Sequence, residues 1–222
     1  MTYTDLDWLD TSLETYETDS IESALDALRR GQIIIVSDDE GRENEGDLLM
    51  AAEFVTPHAI NFMITHARGL ICTPITTDRA QELGLEPMTA NNTESHGTAF
   101  TVSVDGGPED GVTTGISAYD RAKTIDLVVR GKASQLLRPG HIFPLVAKPG
   151  GVLEREGHTE AAVDLARLAG CEPVGVIVEI INPDGTMARF PDLVEFARTH
   201  GLVFTTIEKL KDYRRQQEPI DS

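Results

Sequence analysis

The sequence has 222 residues, and its 37 acidic and 19 basic side chains give a formal net charge of −18. Such a charge opposes binding to nucleic acid and to anionic membranes, which are themselves negatively charged. The length favours one domain, and 40% hydrophobic residues suffice for one sizeable core. The two cysteines make no metal-binding motif, and the apolar stretches stay well short of the ~18 residues that cross a membrane, so we expect a cytoplasmic protein.

The hydrophobic pattern predicts helices and strands that alternate irregularly along the chain. Residues 1–19 are acidic and lack periodicity, which predicts a loose extension. The predicted helices cover residues 20–30, 56–69, 77–83, 118–129, 159–169, 191–200 and a stretch from about 207. The predicted strands cover residues 32–37, 48–53, 70–75, 100–104, 142–147, 174–181 and 203–206. This mixture indicates an α+β fold, or an α/β fold with a mixed sheet.

An acidic loop, SDDEGRENEGD at residues 37–47, directly follows the first predicted strand. Like charges this close repel, so a folded chain keeps them only where water, a proton or a cation relieves the repulsion. Carboxylates are the oxygen ligands that suit Mg²⁺ or Mn²⁺. The alternative is a solvated acidic turn between two strands. Arg42 and two glycines interrupt the run, which favours a functional loop.

A second candidate site is REGHTE, residues 155–160, where a predicted helix begins. The free amides and the dipole of a helix N-terminus bind anions. Arg155 and the Thr159 hydroxyl could add charge-assisted hydrogen bonds to a phosphate. His158 could offer an imidazole to a metal bound beside it. The alternative is an ordinary helix start with a surface histidine, although the preceding Gly150-Gly151 would allow close approach of a ligand.

Three further residues are single candidates. Glu179 lies within a predicted buried strand, where a carboxylate needs a partner or a proton. It could instead face water from an edge strand. His141 follows a Pro-Gly turn at the start of a predicted strand and could be structural or functional. Thr113, in the glycine-rich loop at residues 106–117, could bind phosphate or merely form turn hydrogen bonds.

Five segments of the sequence closely resemble segments of 3,4-dihydroxy-2-butanone 4-phosphate synthase, and they follow one another in the same order as in that enzyme family. These segments are DDEGRENEGDLLMAAE (38–53), GVTTGISAYDRA (111–122), RPGHIFPL (138–145), GGVLEREGHTEAAVDLARLAG (150–170) and NPDGTMAR (182–189). The resemblance spans about residues 20–213 and leaves 214–222 as a C-terminal tail. It implies a single α+β domain, a mixed β-sheet flanked by helices on both sides, and a homodimer with its site near the subunit interface.

The resemblance also implies a reaction, in which D-ribulose 5-phosphate gives 3,4-dihydroxy-2-butanone 4-phosphate and formate in riboflavin biosynthesis. It implies a divalent metal, Mg²⁺ or Mn²⁺, with two ions per active site. It assigns metal binding to Glu43 and His158, and phosphate binding to Arg155, Thr159 and Thr113. It assigns substrate contact to Arg42, Glu43, Asp47 and Glu179, proton transfer to Glu45 and Asp47, and essential catalysis to His141 and Glu179. Glu156, which some members replace by a small residue, is expected to add a carboxylate near the phosphate.

Other functions are compatible with parts of this pattern. A different metal-dependent sugar-phosphate aldolase or isomerase could use the same carboxylates and histidine, but it would release no formate. A nucleotide- or RNA-binding module of related fold is disfavoured by the net charge of −18. Many bacterial relatives carry a fused GTP cyclohydrolase II domain with zinc-binding cysteines. The printed sequence has no such segment, and we therefore expect a monofunctional enzyme.

Overall fold

The architecture follows from a computed structural model, which describes residues 16–217. The strands of the described residues form one sheet in the order β4-β5-β3-β6-β2-β1-β7. Their bounds are β1 Ile34–Ser37, β2 Gly46–Ala51, β3 Cys72–Ile75, β4 Val104–Gly106, β5 Leu136–Val146, β6 Gly175–Glu179 and β7 Phe204–Thr206. β1 and β7 are parallel, as are β3 and β5, and the other neighbours are antiparallel. The sheet is therefore mixed, which confirms the predicted α+β class.

Helices cover both faces of this sheet. They are α1 Ile21–Arg29, α2 Pro57–Phe62, α3 Thr77–Glu82, α4 Ala118–Arg130, α5 His158–Leu168, α6 Phe190–His200 and α7 Ile207–Gln217. Side chains of a strand alternate between faces: Leu48 and Met50 pack with α2, α3, α4 and α6, whereas Leu49 packs with α1, α5 and α7. The helices within residues 16–217 are all too short or too polar to cross a membrane.

Two predicted strands differ from the observed ones around residues 100–146. The predicted strand at 100–104 pairs with β5 only through an isolated bridge between Phe100 and Leu145, before β4 begins at Val104. Pro144 of β5 has no amide to return a hydrogen bond to Thr101, whose own amide donates to the Pro144 carbonyl at 3.0 Å. The strand alternation of residues 100–104 therefore cannot form a continuous ladder there. β5 itself begins six residues earlier than predicted.

The predicted N-terminal extension is partly folded. Residues 1–15 lie outside the described residues, but residues 16–19 pack against the domain. The Tyr16 ring stacks on Phe204, with 6.1 Å between ring centroids. The Asp19 amide donates to the Phe204 carbonyl at 2.7 Å. The acidic composition of the extension concealed these contacts, which depend on the Tyr16 ring and on hydrogen bonds between Asp19 and Phe204.

The predicted C-terminal tail begins inside a helix, since α7 continues to Gln217. Arg214, the first residue of that tail, is buried and donates to Asp164 Oδ2 at 2.8 Å. The same guanidinium donates to the Gly150 carbonyl at 2.8 Å. An arginine buried by an ion pair lacks the apolar signal that marks a core position in the sequence. α7 and its buried Arg214 therefore continue past the boundary predicted at residue 213.

Candidate active site

Eight of the ten predicted site residues line one cavity of about 520 Å³. The cavity lies where the acidic loop after β1, the start of β2, the end of β6 and the start of α5 meet. These eight residues are Arg42, Glu43, Glu45, Asp47, Arg155, His158, Thr159 and Glu179. His141 and Thr113 do not line it. Its wall also contains residues that the sequence did not single out, among them Glu94, His96 and Thr98.

Asp38 organises the acidic loop from inside. Its side chain is only 1% exposed. Its carboxylate accepts hydrogen bonds from the amides of Glu43 at 3.1 Å and Glu45 at 2.8 Å, and from the Arg42 guanidinium at 2.8 Å. These bonds turn residues 42–45 towards the cavity. A uniformly solvated acidic turn is therefore the wrong interpretation of this loop, because its first acidic residue is internal.

Arg189 holds the same loop from the opposite side. Its guanidinium donates to the Glu43 carbonyl at 2.9 Å and also to the Asn44 carbonyl. Asn44 has a φ of +54°, in the left-handed region that asparagine tolerates better than most residues. Sequence reasoning missed Arg189 as a site residue, although it ends the NPDGTMAR segment. The loop is thus fixed by contacts at both ends of its exposed turn.

Three side chains in or beside the cavity could ligate a metal ion. One ligand atom from each of Asp38, Glu43 and His158 lies within 4.8 Å of the others. His158 Nδ1 lies 3.9 Å from Glu43 Oε2, and its Nε2 lies 3.1 Å from the Val36 carbonyl oxygen. Because a carbonyl only accepts, Nε2 carries a proton and Nδ1 is the nitrogen that can bind a metal. Asp38 is already used within the loop, so Glu43 and His158 are the better ligands.

The charges of this group support one another. The His158 imidazole and then the Arg42 guanidinium lower the pKa of Glu43 to about 2, although partial burial acts in the opposite direction. Burial opposes the charge on His158, but Asp47, Glu43 and Asp38 outweigh it and raise the pKa of His158 to about 9. The charged forms of Glu43 and His158 therefore stabilise each other.

Asp47 and Glu179 face each other across β2 and β6, where they are direct register partners. Asp47 is 3% exposed, and burial raises its pKa to about 7, with Glu179, Glu45 and Glu43 adding to the shift and His158 opposing it. Its Oδ1 is buried and makes no hydrogen bond within residues 16–217. A buried acceptor of this kind is free for a ligand.

Glu179 is only half-buried, which corrects the prediction that its strand encloses it. β6 ends at this residue, and its Oε2 accepts a hydrogen bond from the Leu70 amide at 2.8 Å. Glycine at position 69 leaves room for the Glu179 carboxylate, because a Cβ on residue 69 would lie 2.5 Å from Glu179 Oε2. The enclosed carboxyl group of the cluster is therefore Asp47 rather than Glu179.

Glu45 completes the group of carboxyls on this side of the cavity. Burial raises its pKa, and the charges of Glu43 and Glu179 add to that rise, whereas Arg189 lowers it. Two carboxyls with raised pKa values in one cavity, those of Glu45 and Asp47, are typical of a site that transfers protons.

Arg155 and the start of α5 also line the cavity, and a helix start of this kind can bind an anion. α5 begins at His158 behind Gly157, which has no side chain to cap its first amides. The Arg155 guanidinium donates to Glu160 Oε2 at 2.6 Å, to Thr98 Oγ1 at 3.1 Å and to the His96 carbonyl at 3.1 Å. A Cβ at position 157 would lie 2.1 Å from Arg155 Nη1, so glycine is required for this arrangement.

Glu156, next to Arg155, forms its ion pair with α7. Its Oε1 lies 2.8 Å from Lys211 Nζ of α7, and its side chain is 54% exposed. The same ammonium also lies 2.8 Å from Glu208 Oε2. The extra carboxylate expected near the phosphate is therefore partly neutralised by a lysine on a different helix.

The Glu94 carboxylate holds its own loop in place through hydrogen bonds to backbone amides. Glu94 accepts hydrogen bonds from the amides of Thr98 at 2.7 Å and His96 at 3.0 Å. These backbone bonds, that of Thr98 foremost, lower the pKa of Glu94 to about 2. The loop thereby brings Thr98 and His96 to Arg155. The sequence showed only a polar loop here, since the contact to Arg155 spans about 57 residues.

His141 and Thr113 each bind a carboxylate outside this cavity. His141 Nδ1 lies 2.6 Å from Asp105 Oδ2. Thr113 donates from its amide to Asp120 Oδ1 at 2.9 Å and from its hydroxyl to Asp120 Oδ2 at 2.8 Å. Within one chain, the structure does not bring these two residues to the cavity that holds the other eight.

A cavity with carboxylates and an imidazole on one side and an uncapped helix start with an arginine on the other is typical of enzymes that bind a phosphorylated ligand beside a metal ion. The family model of 3,4-dihydroxy-2-butanone 4-phosphate synthase matches residues 22–213. The chain belongs to this family. It is 57% identical over 209 residues to the riboflavin biosynthesis protein RibBA of Aquifex aeolicus (strain VF5), covering 93% of this chain and 52% of that protein.

Further similar proteins support the family assignment. RibBA of Bacillus mycoides (strain KBAB4) is 59% identical over 202 residues, covering 90% of this chain and 50% of the relative. The chain thus spans about half the length of the curated relatives that it matches. The crystal structure of RibBX, a two-domain 3,4-dihydroxy-2-butanone 4-phosphate synthase from A. baumannii, superposes with a TM-score of 0.87 at 49% identity, covering 90% of this chain and 59% of that one.

A 3,4-dihydroxy-2-butanone 4-phosphate synthase crystallised in complex with two magnesium ions superposes with a TM-score of 0.85 at 43% identity. This comparison covers 89% of this chain and 97% of that one. The mixed sheet and its helices are therefore the fold of this family. Because the RibBA relatives are about twice as long, the expectation of a monofunctional enzyme stays a prediction.

Proposed function

We propose that this chain converts D-ribulose 5-phosphate into 3,4-dihydroxy-2-butanone 4-phosphate and formate, a lyase step of riboflavin biosynthesis. The observation that carries this proposal is one cavity that combines the Glu43–His158 pair with Arg155 at the start of α5. Incubation with ribulose 5-phosphate and Mg²⁺, followed by product analysis, tests it. An aldolase or isomerase would consume the sugar without releasing formate, and that result would contradict the proposal.

The residues present fit a divalent metal. Glu43 and His158 supply one oxygen and one nitrogen, and the unpaired Asp47 Oδ1 lies in the same cavity. Mg²⁺ or Mn²⁺ completes its coordination with water and ligand oxygens, so a site with few protein ligands suits either ion. When bound, the metal would polarise neighbouring oxygens of the sugar. The relative with two magnesium ions supports two ions per site.

Side chains and backbone amides of the chain bind the substrate and transfer the protons. Arg155, Thr159 and the first amides of α5 hold the phosphate, which does not react, and thereby fix the position of the sugar. Arg42 stays paired with Glu43 and Asp38 and faces the same cavity, where it can contact a substrate hydroxyl. The carboxyls of the β2–β6 end then exchange protons, and Asp47 Oδ1, with a pKa of about 7, can both accept and donate one.

Replacement of Arg155 by Ala should raise the KM for ribulose 5-phosphate and lower kcat. Loss of a charge-assisted hydrogen bond costs about 1.5–3 kcal/mol, so we expect roughly 10- to 100-fold weaker binding. Arg155→Lys keeps the positive charge and should recover part of the substrate affinity. Steady-state kinetics provide the measurement. Arg130→Ala, which removes an exposed guanidinium paired with Asp126, serves as the control. An unchanged KM in Arg155→Ala would place the phosphate elsewhere.

We further propose that the enzyme is a homodimer in which His141 and Thr113 reach the cavity of the second copy. Both lie outside the cavity of their own chain. Exposed apolar side chains at Ile116, Tyr119 and Leu137 lie on the same loop, helix start and strand. Exposed large apolar side chains of this kind suit contact with another protein surface. A shared site would bring all ten predicted residues together.

Mixing two inactive variants should restore activity if the site is shared. We expect Glu43→Gln and His141→Gln homodimers to be inactive. Exchanged at equal amounts, they should regain roughly a quarter of wild-type activity, because half of the dimers carry one intact site of two. A mixture of Glu43→Gln with Glu179→Gln should stay inactive, since both residues line the cavity of one chain. Absence of recovery in the first mixture would contradict the shared site.

A cytoplasmic location completes the proposal. Cys72 and Cys171 are both free thiols, and such thiols persist in a reducing compartment.

A further inference from the structure

Arg189 binds the backbone of Glu43, a proposed metal ligand. Its Nη1 donates to the Glu43 carbonyl at 2.9 Å and also to the Asn44 carbonyl. The Glu43 amide donates to the Asp38 carboxylate at 3.1 Å. Charged side chains therefore hold Glu43 at both of its peptide groups, and one of them lies 146 residues further along the chain.

The conformation of Asn44 allows one nitrogen to bind two consecutive carbonyls. Consecutive carbonyls of an extended chain point in opposite directions, whereas the left-handed φ of Asn44, +54°, breaks that alternation. The Arg189 side chain is exposed, and its hydrogen bonds within residues 16–217 go to these two carbonyls rather than to a carboxylate. The guanidinium therefore acts on the shape of the acidic loop and not on the hydrophobic core.

Arg189 ends a hairpin that starts directly after Glu179, here named the β6 hairpin (residues 180–189). The Ala188 amide donates to the Ile180 carbonyl at 3.0 Å, which closes the hairpin. Glu179 itself lines the cavity. A short, closed segment therefore connects a carboxylate of the cavity with the guanidinium that holds the acidic loop.

Asp192, in the first turn of α6, fixes the end of the β6 hairpin. Its Oδ2 accepts the Arg189 amide at 2.9 Å and the Asn182 side-chain amide at 3.2 Å. At the other end of the hairpin, the Ile180 amide donates to the Gly46 carbonyl of β2 at 2.9 Å. The base of the Arg189 side chain therefore has a fixed position relative to the sheet.

We propose that Arg189 is a positioning residue, which keeps the Glu43 carboxylate directed at His158 and ties this pair to the strand of Glu179. Glu43 Oε2 lies 3.9 Å from His158 Nδ1 in the loop conformation that Arg189 binds. Without the guanidinium, the exposed turn of the loop is free to rotate, and the cost of ordering Glu43 then lowers the affinity for a metal. This inference rests on the proposed function, in which Glu43 and His158 bind the metal.

Amide hydrogen exchange of the metal-free protein, measured by NMR, tests the hold on the loop. The Glu43 and Glu45 amides donate to Asp38 within the acidic loop, at 3.1 and 2.8 Å. In Arg189→Ala we expect both amides to exchange about 10-fold faster, because local opening of the loop becomes easier. The Thr98 amide, which is hydrogen-bonded in a different loop of the cavity wall, should keep its wild-type rate.

Binding of Mn²⁺ alone, followed by electron paramagnetic resonance, is the second readout. Lost support behind a metal ligand costs about 10- to 100-fold in affinity, and we expect Arg189→Ala to weaken Mn²⁺ binding by a factor in that range. Arg189→Lys, whose ammonium can donate to the same carbonyls, should recover part of the affinity. Arg130→Ala removes another exposed guanidinium that donates to a backbone carbonyl, that of Glu53 at 2.8 Å, and should change neither readout.

Kinetics distinguish the positioning of a ligand from the ligand itself. In Arg189→Ala, the Mn²⁺ concentration that gives half-maximal formate release should rise about 10- to 100-fold, and excess Mn²⁺ should restore most of kcat. The KM for ribulose 5-phosphate at saturating Mn²⁺ should change by less than about threefold, because the phosphate is held by Arg155. Glu43→Gln, which lacks the ligand, should stay inactive at the same excess.

The outcomes separate a local role of Arg189 from a general one. Unchanged exchange at Glu43 and Glu45, or unchanged Mn²⁺ affinity, in a folded Arg189→Ala would overturn the proposal. Faster exchange at Thr98 as well would reduce Arg189 to a contributor to overall stability, which also overturns it. If Arg189→Ala does not fold, Arg189→Gln, with one amide group in place of the guanidinium, is measured with the same expectations.

The same measurements separate this proposal from the proposed function. If Arg189→Ala shows both the faster loop exchange and the weaker Mn²⁺ binding, but the wild type releases no formate, the proposed function is contradicted and the role of Arg189 stands. A wild type that binds no Mn²⁺ would overturn both.

Discussion

Replacement of Glu43 by Gln should abolish formate release, with turnover at least about 10²-fold lower even at high Mg²⁺. Glu43 is the loop carboxylate that faces His158 Nδ1, and its low pKa keeps it charged throughout the working pH range. Gln keeps the size of the side chain but removes the negative charge that a hard cation needs. Loss of supporting contacts around a metal already costs about 10- to 100-fold, and loss of a direct ligand should cost more.

Glu40→Gln is the matched control for this experiment. Glu40 lies in the same loop and is exposed, and the substitution removes the same single negative charge. Formate assays should therefore show near-wild-type turnover for Glu40→Gln. Calorimetry with Mg²⁺ in the presence of ribulose 5-phosphate should show weaker binding only for Glu43→Gln. Equal losses in both variants would mean that the loop acts through its total charge and that Glu43 is not a ligand.

Glu179→Gln should lower turnover by at least about 10²-fold while the protein stays folded and still binds substrate. The Gln side chain can still accept the hydrogen bond that the Leu70 amide donates to Glu179 Oε2 at 2.8 Å. The substitution therefore removes the exchange of a proton without removing this contact. The position of Glu179 opposite Asp47 is the reason for expecting a role in proton transfer.

Formate release and thermal denaturation of Glu179→Gln provide the measurement. Glu172→Gln, an exposed glutamate just before β6, should leave both quantities unchanged. Near-wild-type formate release by Glu179→Gln would make Glu179 a structural residue. The proton transfers would then belong to Asp47, Glu45 and His141.

Local patterns were sufficient to predict much of the fold. The apolar run before the acidic loop predicted β1, and the glycine-capped pattern of α1 predicted that helix nearly to the residue. The pattern failed where pairing depends on distant residues. The alternation at residues 100–104 is that of a strand, but Pro144 on the neighbouring strand cannot complete the ladder.

The candidate site was predictable where a residue's chemistry is visible in its own segment. Glu43 and Arg155 lie in runs of unusual composition, and both line the cavity. Burial was not predictable in the same way, because it depends on where a strand ends. Glu179 ends β6 and is half-open, whereas Asp47 lies opposite it and is enclosed. Asp105 carried no signal of its own, since its partner is 36 residues away.

Ribulose 5-phosphate labelled with ¹³C at C4 tests the central claim most directly. We expect ¹³C formate and unlabelled 3,4-dihydroxy-2-butanone 4-phosphate in equal amounts, formed by the purified chain only when Mg²⁺ or Mn²⁺ is present. Carbon NMR of the reaction mixture measures both products. Consumption of the sugar without labelled formate, or equal formate release after chelation of the metal, would contradict the account.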